Sequence, residues 1–237
     1  MPLESYHGET FVAFIDISGF KALMKDRKRA YEALNRFYQI GYEALRSDRN
    51  RNHPQRVDGI FISDCGILFS RIEDNNFPES NNNLSALHNM LEIIKNIFVE
   101  MIRSDFLLTA SIAYGKFDYE ERIEFVGIEK NLMLGNAYLE AYLDNENGKP
   151  KLEPGQCRIL LNPQLNDLRR QIENSNEYPF NLIVKKQRDN RHLYFYWMLQ
   201  SREDIRRFDK KYTDTYNLKY RGMITVLREF TDQNNLR

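Results

Sequence analysis

The chain has 237 residues, 42% of them hydrophobic, with 15 Phe and 14 Tyr, enough to build a substantial core in one large domain. Lys plus Arg and Asp plus Glu number 34 each, so net charge offers no general attraction to nucleic acid or to an anionic membrane. Two cysteines, Cys65 and Cys157, lack CxxC spacing, which argues against a disulfide framework and for a reducing cytosol.

The opening MPLESYHGET has no signal-peptide pattern. No apolar run approaches the roughly 20 residues that span a bilayer. A cytoplasmic protein is expected.

Residues 10–17, TFVAFIDI, are apolar, β-branched and aromatic up to Ser18-Gly19, which predicts a mostly buried strand. Apolar residues then recur at Tyr31, Leu34, Phe37, Tyr38, Gly41, Tyr42 and Leu45, the spacing of a long amphipathic helix. Residues 47–55 read as a polar loop. RVDGIFI and CGILFS, joined at Ser63-Asp64, predict a hairpin with Asp64 at its tip.

Residues 73–83 are the most loop-like stretch, followed by a second helix through Leu87, Met90, Leu91, Ile94, Ile97, Phe98 and Met101. FLLTASIAYG predicts a third buried strand, residues 106–115, ending at Gly115. A charged excursion, KFDYEERIE, and a helix around 132–144 come next. Strands are expected at 157–162 and 181–186, the latter paired with 191–199, and a charged helix from Ser201 onward.

The order β-α-β-β-α-β, then α-β and a strand pair, predicts an α+β, ferredoxin-like (split βαβ) domain over residues 1–237. Its core spans about 10–200 and its C-terminal helical extension about 201–237. This topology sets the end of the first strand beside the hairpin tip, so Asp16 and Asp64 can face one another across a cleft.

Two converging carboxylates with no nearby His suit a hard cation such as Mg²⁺ or Mn²⁺, and such ions serve phosphates. The turn DISGF offers backbone N–H groups to phosphate oxygens. The plainer reading is that each Asp is a cap or turn residue. Tyr138 and Tyr142, one helical turn apart, are either packing residues with hydroxyls at the rim or contacts to ribose or base. The four His residues share no metal-ligand spacing, and Cys65 reads as a small strand residue.

FVAFIDISGF, FISDCGILF, TASIAYG and GNAYLEAYLDNE together resemble the class III nucleotide cyclase domain. The resemblance implies a central, mostly antiparallel sheet with flanking helices and a head-to-tail homodimer with active sites at the interface. It implies two divalent cations, Mg²⁺ or Mn²⁺, held by Asp16, Asp64 and the Ile17 carbonyl, with Ser18, Gly19 and Phe20 contacting the phosphates.

The purine-reading Lys of adenylyl and guanylyl cyclases falls on Ile60, and a phosphate-contacting Arg on Thr109. The transition-state Asn and Arg fall on Leu139 and Leu143, or on Tyr138 and Tyr142 one register away. Neither register supplies a cation. The short length and the G-x-A-x-x-x-A-Y helix are similar to the bacterial pyrimidine cyclases of Pycsar anti-phage systems.

That likeness implies a uridylate (or cytidylate) cyclase making cyclic UMP or cyclic CMP for a separate cyclic-nucleotide-binding effector. Ile60 and Phe61 would narrow the base pocket and Arg56 would reach a pyrimidine carbonyl. The alternatives are an adenylate or guanylate cyclase with an atypical pocket, or a degenerate nucleotide-binding module.

Overall fold

The computed structural model describes residues 3–49, 55–72, 79–125, 128–216 and 219–232. The elements that frame the site come first in the chain: β1 (Tyr6–Ile17), a short α1 (Phe20–Leu23), α2 (Arg27–Arg49), β2 (Gln55–Ile62), β3 (Cys65–Ile72) and α3 (Glu79–Arg103). They continue with β4 (Leu108–Phe125), β5 (Ile128–Leu134) and α4 (Asn136–Asn147). The remainder is β6 (Cys157–Leu160), α5 (Asn166–Asn174), β7 (Ile183–Lys185), β8 (His192–Phe195), α6 (Ile205–Tyr216) and α7 (Lys219–Asp232).

The strands form one sheet in the order β2-β3-β1-β4-β6-β8-β7, with β5 paired to β4. Every pairing is antiparallel except β4 with β6. The first four strands reproduce the split βαβ order. β1 is apolar on both faces because both are covered. Phe11, Ala13, Ile15 and Ile17 join the large core under α2 and α3, while Val12 and Phe14 join a smaller cluster with Ala137 and Ala141 of α4. Each buried Phe, Ile or Val among them contributes about 1.5–3 kcal/mol, and strand alternation fixes which face receives it.

β4 does not end at Gly115 as expected; it runs on through the charged stretch to Phe125. Gly115 serves a close approach: a Cβ there would lie 2.7 Å from the Asn136 side chain at the start of α4. KFDY alternates, with Phe117 and Tyr119 buried and Lys116 exposed, which is a strand signature beneath the charges. The helix expected at 132–144 instead begins at Asn136, because residues up to Leu134 pair with β4.

The loop expected at 47–55 is partly helix, since α2 continues to Arg49, and Gln55 already belongs to β2; residues 50–54 lie outside the described residues. Residues 73–78 of the second expected loop also lie outside them, and α3 starts at Glu79. The C-terminal segment is two helices, α6 and α7, whose Phe208, Tyr212, Leu227 and Phe230 join the large core. Helix α5 was not foreseen. Among the described residues no helix is long and apolar enough to cross a membrane.

Candidate active site

Asp16 follows Phe14 on the α4 face of β1, at the last position but one of the strand. Its partners across the sheet are Cys65 on β3 and Thr109 on β4. The hairpin between β2 and β3 turns in two residues, with Ser63 in the left-handed region (φ 54°). Asp64 is thereby placed beside the end of β1, where its backbone carbonyl accepts a hydrogen bond from the Ile17 N–H at 3.1 Å. Asp16, Asp64 and Cys65 bring their donor atoms within 4.8 Å of one another, all three half-buried.

This cluster is electrostatically uncompensated. Burial, then the charges of Asp64 and Glu146, push the Asp16 carboxyl up to about 7. Burial and the same carboxylates push the Cys65 thiol up to about 12, so it stays protonated and points its S–H at Asp16 Oδ1, 3.6 Å away. Oxygen donors crowded together with excess negative charge fit a hard divalent cation. Asp16 and Asp64 are the residues that would hold it.

The turn after Asp16 is only partly available to a ligand. The Ser18 N–H already donates to the Leu107 carbonyl at 2.8 Å, so it cannot serve a phosphate; its buried hydroxyl has no partner. Gly19 adopts φ 74°, which disfavours a side chain, and a Cβ there would meet nothing within 4 Å. Gly19 and Phe20 precede or open α1, where N–H groups have no intrahelical acceptor. The Phe20 ring itself is buried in the large core.

The expected base-pocket residues separate. Ile60 lies on the α4 face, in the cluster against which Cys65 and Tyr138 pack. Phe61, its neighbour, points to the opposite face and packs edge-on to Phe37 and Tyr42 of α2. A Cβ on Gly41 would lie 2.1 Å from the Phe61 ring, so that glycine makes the room for it. Adjacent strand residues cannot share a face, and the base-contact role expected for Phe61 is not met.

Arg56 sits at the far end of β2, about 20 Å along the strand from the hairpin tip. It is bonded there to Glu4 at 3.0 Å and lies 3.6 Å from the buried Asp58. It is not brought to the cluster.

Tyr138 and Tyr142 are. Their rings stack at 6.5 Å, Tyr142 meets Phe14 edge-on at 5.2 Å, and Tyr138 packs against the same cluster as Cys65. Tyr138 packs against the α4-side cluster, while Tyr142 remains 39% exposed. Leu139 and Leu143 are also exposed on α4.

Sequence reading passed over Asn145 and Glu146, which lie at i+7 and i+8 from Tyr138 and so return to the same side of the helix. Asn145 accepts from the Thr109 hydroxyl and donates to the Phe14 carbonyl, both at 3.3 Å, bridging β1 and β4 beside Asp16.

What holds α4 there is a buried charge network. Arg158 of β6 donates to Asp144 Oδ2 at 2.8 Å and Oδ1 at 2.9 Å, and caps the helix through the Asp144 carbonyl at 3.0 Å. His192 bridges Asp144 (2.9 Å) and Asp189 (2.8 Å), Tyr194 donates to Asp189 at 2.7 Å, and Ser111 donates to Asp144. Burial works against the Asp144 charge, but the His192, Arg158 and Ser111 hydrogen bonds outweigh it and bring the carboxyl down to about 2.

No protein-family model and no curated protein matches the chain. Solved structures do. The guanylyl cyclase domain of the RhoGC fusion protein from the aquatic fungus Blastocladiella emersonii superposes with a TM-score of 0.54 at 12% identity, covering 81% of this chain and 97% of that one. The catalytic core of a rhodopsin-guanylyl cyclase with converted specificity, bound to ATPalphaS, gives 0.51 at 14% identity, with 82% and 98% covered. An adenylyl cyclase from P. aeruginosa gives 0.50 at 14%, with 81% and 94% covered. Together with the sheet order and the flanking helices, these likenesses show that the chain has the class III nucleotide cyclase fold.

Proposed function

We propose that the chain, as one catalytic domain, is a metal-dependent nucleotide cyclase of the cytoplasm. Its substrate is UTP or CTP, and its products are the 3′,5′-cyclic monophosphate and pyrophosphate. The observation that carries this reading is the Asp16–Asp64 pair, held across a strand end and a hairpin tip on this fold with Asp16 pushed up to about 7.

Mg²⁺ or Mn²⁺ bound there would acidify the ribose 3′-OH and neutralise charge on the triphosphate. Asp16 and Asp64 would hold the cations, aided by the Ile17 carbonyl, and the amides of Gly19 and Phe20 would meet the phosphates. The ribose oxygen attacks the α-phosphorus, the bond to the β-phosphate oxygen breaks, and pyrophosphate departs. Ile60 leaves the base-reading position without a cation, which supports a one-ring base over a purine; Tyr138 and Tyr142 wall the same side.

A head-to-tail homodimer would cover the exposed Leu139 and Leu143 and complete each site from the partner chain. By its likeness to the Pycsar enzymes, the product would act on a separate cyclic-nucleotide-binding effector in anti-phage defence. Incubation with Mn²⁺ and each of the four nucleoside triphosphates tests the reading: pyrophosphate release with UTP or CTP is expected, and turnover of ATP or GTP alone would replace it with a purine cyclase.

A second reading, a nucleotide-binding module without turnover, is favoured by the apolar Leu139 and Leu143 where the family carries Asn and Arg. Calorimetric nucleotide binding with no pyrophosphate released would select it.

A further inference from the structure

On the α2–α3 side of the sheet, away from the Asp16–Asp64 cluster, a groove of about 600 Å³ runs between the end of α1, the start of α2, the turn after α3, and α7. Arg29, Asp105, Tyr220, Arg221, Thr225 and Arg228 line it. One carboxylate therefore faces three guanidinium groups. Asp105 is bonded to Arg228 at 2.5 Å, and Arg228 is further fixed by the Ile102 carbonyl at 2.9 Å. Arg29 lies 4.3 Å over the Phe106 ring and reaches Glu32 at 3.1 Å.

Arg221 is exposed and has no carboxylate within ion-pair distance among the described residues. The adjoining segment adds the exposed Lys21, Lys25, Arg27 and Lys28, while its Asp26 is spent capping α2 through the N–H groups of Lys28 and Arg29. The field in the groove is positive.

The groove is wired to the turn that follows Asp16. The Tyr220 hydroxyl accepts the Leu107 N–H at 2.9 Å and donates to the Asp105 carbonyl at 3.3 Å. The Leu107 carbonyl in turn accepts the Ser18 N–H at 2.8 Å. Asp105 sits in the left-handed region, at φ 66°, a conformation its surroundings must enforce.

We infer that this groove binds a phosphorylated small molecule carrying two or more phosphate groups, and that occupancy stiffens the Ser18–Gly19 turn through Leu107. Planar guanidinium forks match phosphate oxygens better than they match isolated carboxylates. Three of them spread over this volume exceed the needs of a single phosphate, and the volume lies within the range of nucleotide-sized ligands. The binding claim is independent of the proposed cyclase activity; only the significance of a stiffened turn rests on that reading.

The test uses the full chain in EDTA, with inorganic pyrophosphate as the probe and calorimetry as the readout. Binding is expected to persist within about twofold in Asp64→Ala and to weaken at least tenfold in Arg221→Glu, an exposed position where folding is not at stake. Equal affinity in wild type and Arg221→Glu, or loss in Asp64→Ala, overturns the site.

Hydrogen exchange at the Ser18 and Leu107 amides should slow at least threefold on saturation; unchanged rates overturn the coupling. Co-sedimentation with phosphatidylserine vesicles that pyrophosphate fails to displace would assign the groove to a lipid headgroup and overturn the small-molecule assignment. None of these readouts needs nucleotide turnover, so absence of cyclase activity would leave the inference standing.

Discussion

Two clusters of acidic side chains lie on the α4 face of the sheet, and they are built on opposite principles. Around Asp144 every charge has a partner: Arg158 and His192 meet Asp144 and Asp189, and hydroxyls of Ser111 and Tyr194 fill the remaining acceptor sites. Around Asp16 there are carboxylates and a thiol, and among the described residues no cation pairs with them. Asp144, the more buried of the two, has its carboxyl pulled down to about 2, while the half-buried Asp16 is pushed up to about 7. A fold that neutralises one Asp this thoroughly, and leaves another on the same face of the sheet unneutralised, singles out the second as the candidate functional site.

That contrast can be broken experimentally, and the largest effect is expected at the compensated end. Arg158→Met strands Asp144 and removes the α4 cap; it should cost about 3–5 kcal/mol in urea unfolding. A loss below about 1 kcal/mol would mean that the network is not what holds α4.

At the uncompensated end, Asp64→Ala should leave stability nearly untouched while lowering nucleotide turnover on the order of 10²–10³-fold. Full activity in that variant would remove the metal centre from the reaction.

The next effect has the opposite sign. Asp16 in the metal-free native state retains a proton that the unfolded chain releases, because its carboxyl is raised from 3.8 to about 7. The stability that Asp16 contributes to the metal-free protein should therefore be full at and below about pH 4, be lost as the pH rises towards 7, and level off above it. Asp16→Asn should flatten this slope and raise Tm at pH 8 by a few degrees, about 2–4 °C per kcal/mol for a chain of this size. Mn²⁺ affinity, which needs the carboxylate, should rise with pH up to about 7 in the wild type. A pH-independent affinity from 5 to 8 would contradict the raised carboxyl.

The smallest effect is at Gly19. Its backbone at φ 74° disfavours Ala by roughly 1–2 kcal/mol, while the open space around it predicts no clash.

Much of the uncompensated site was legible because its signals are local. A buried strand ending on Asp16, a two-residue hairpin tip at Asp64 and the helix-strand order required no knowledge of distant contacts. The compensated site was not legible. It draws on residues 111, 144, 158, 189 and 192, and no periodicity links them; His192 in particular showed only that it lacked metal-ligand spacing.

Two misplacements had other causes. Arg56 is expected at the base through the family resemblance, but it lies six residues from the end of β2, and a strand carries residues away at about 3.3 Å each. Phe61 was paired with Ile60 although neighbours on a strand face opposite sides. The extension of β4 past Gly115 was hidden because charged residues on its open side masked the alternation of Phe117 and Tyr119.

The pairing of Asp16 with Cys65, closed by the Ile17 N–H on the Asp64 carbonyl, has a consequence for tolerance to change. The spacing of the two carboxylates is inherited from a β-ladder, so it carries the regularity of the ladder and none of the freedom of a loop. Side-chain exchanges along β1 and β3 that keep the strands paired leave that spacing alone. Insertion of one residue in either strand would turn Asp16 or Cys65 to the other face and pull the cluster apart without changing the identity of any residue in it. In such a molecule the reading frame of the sheet is itself part of the candidate site.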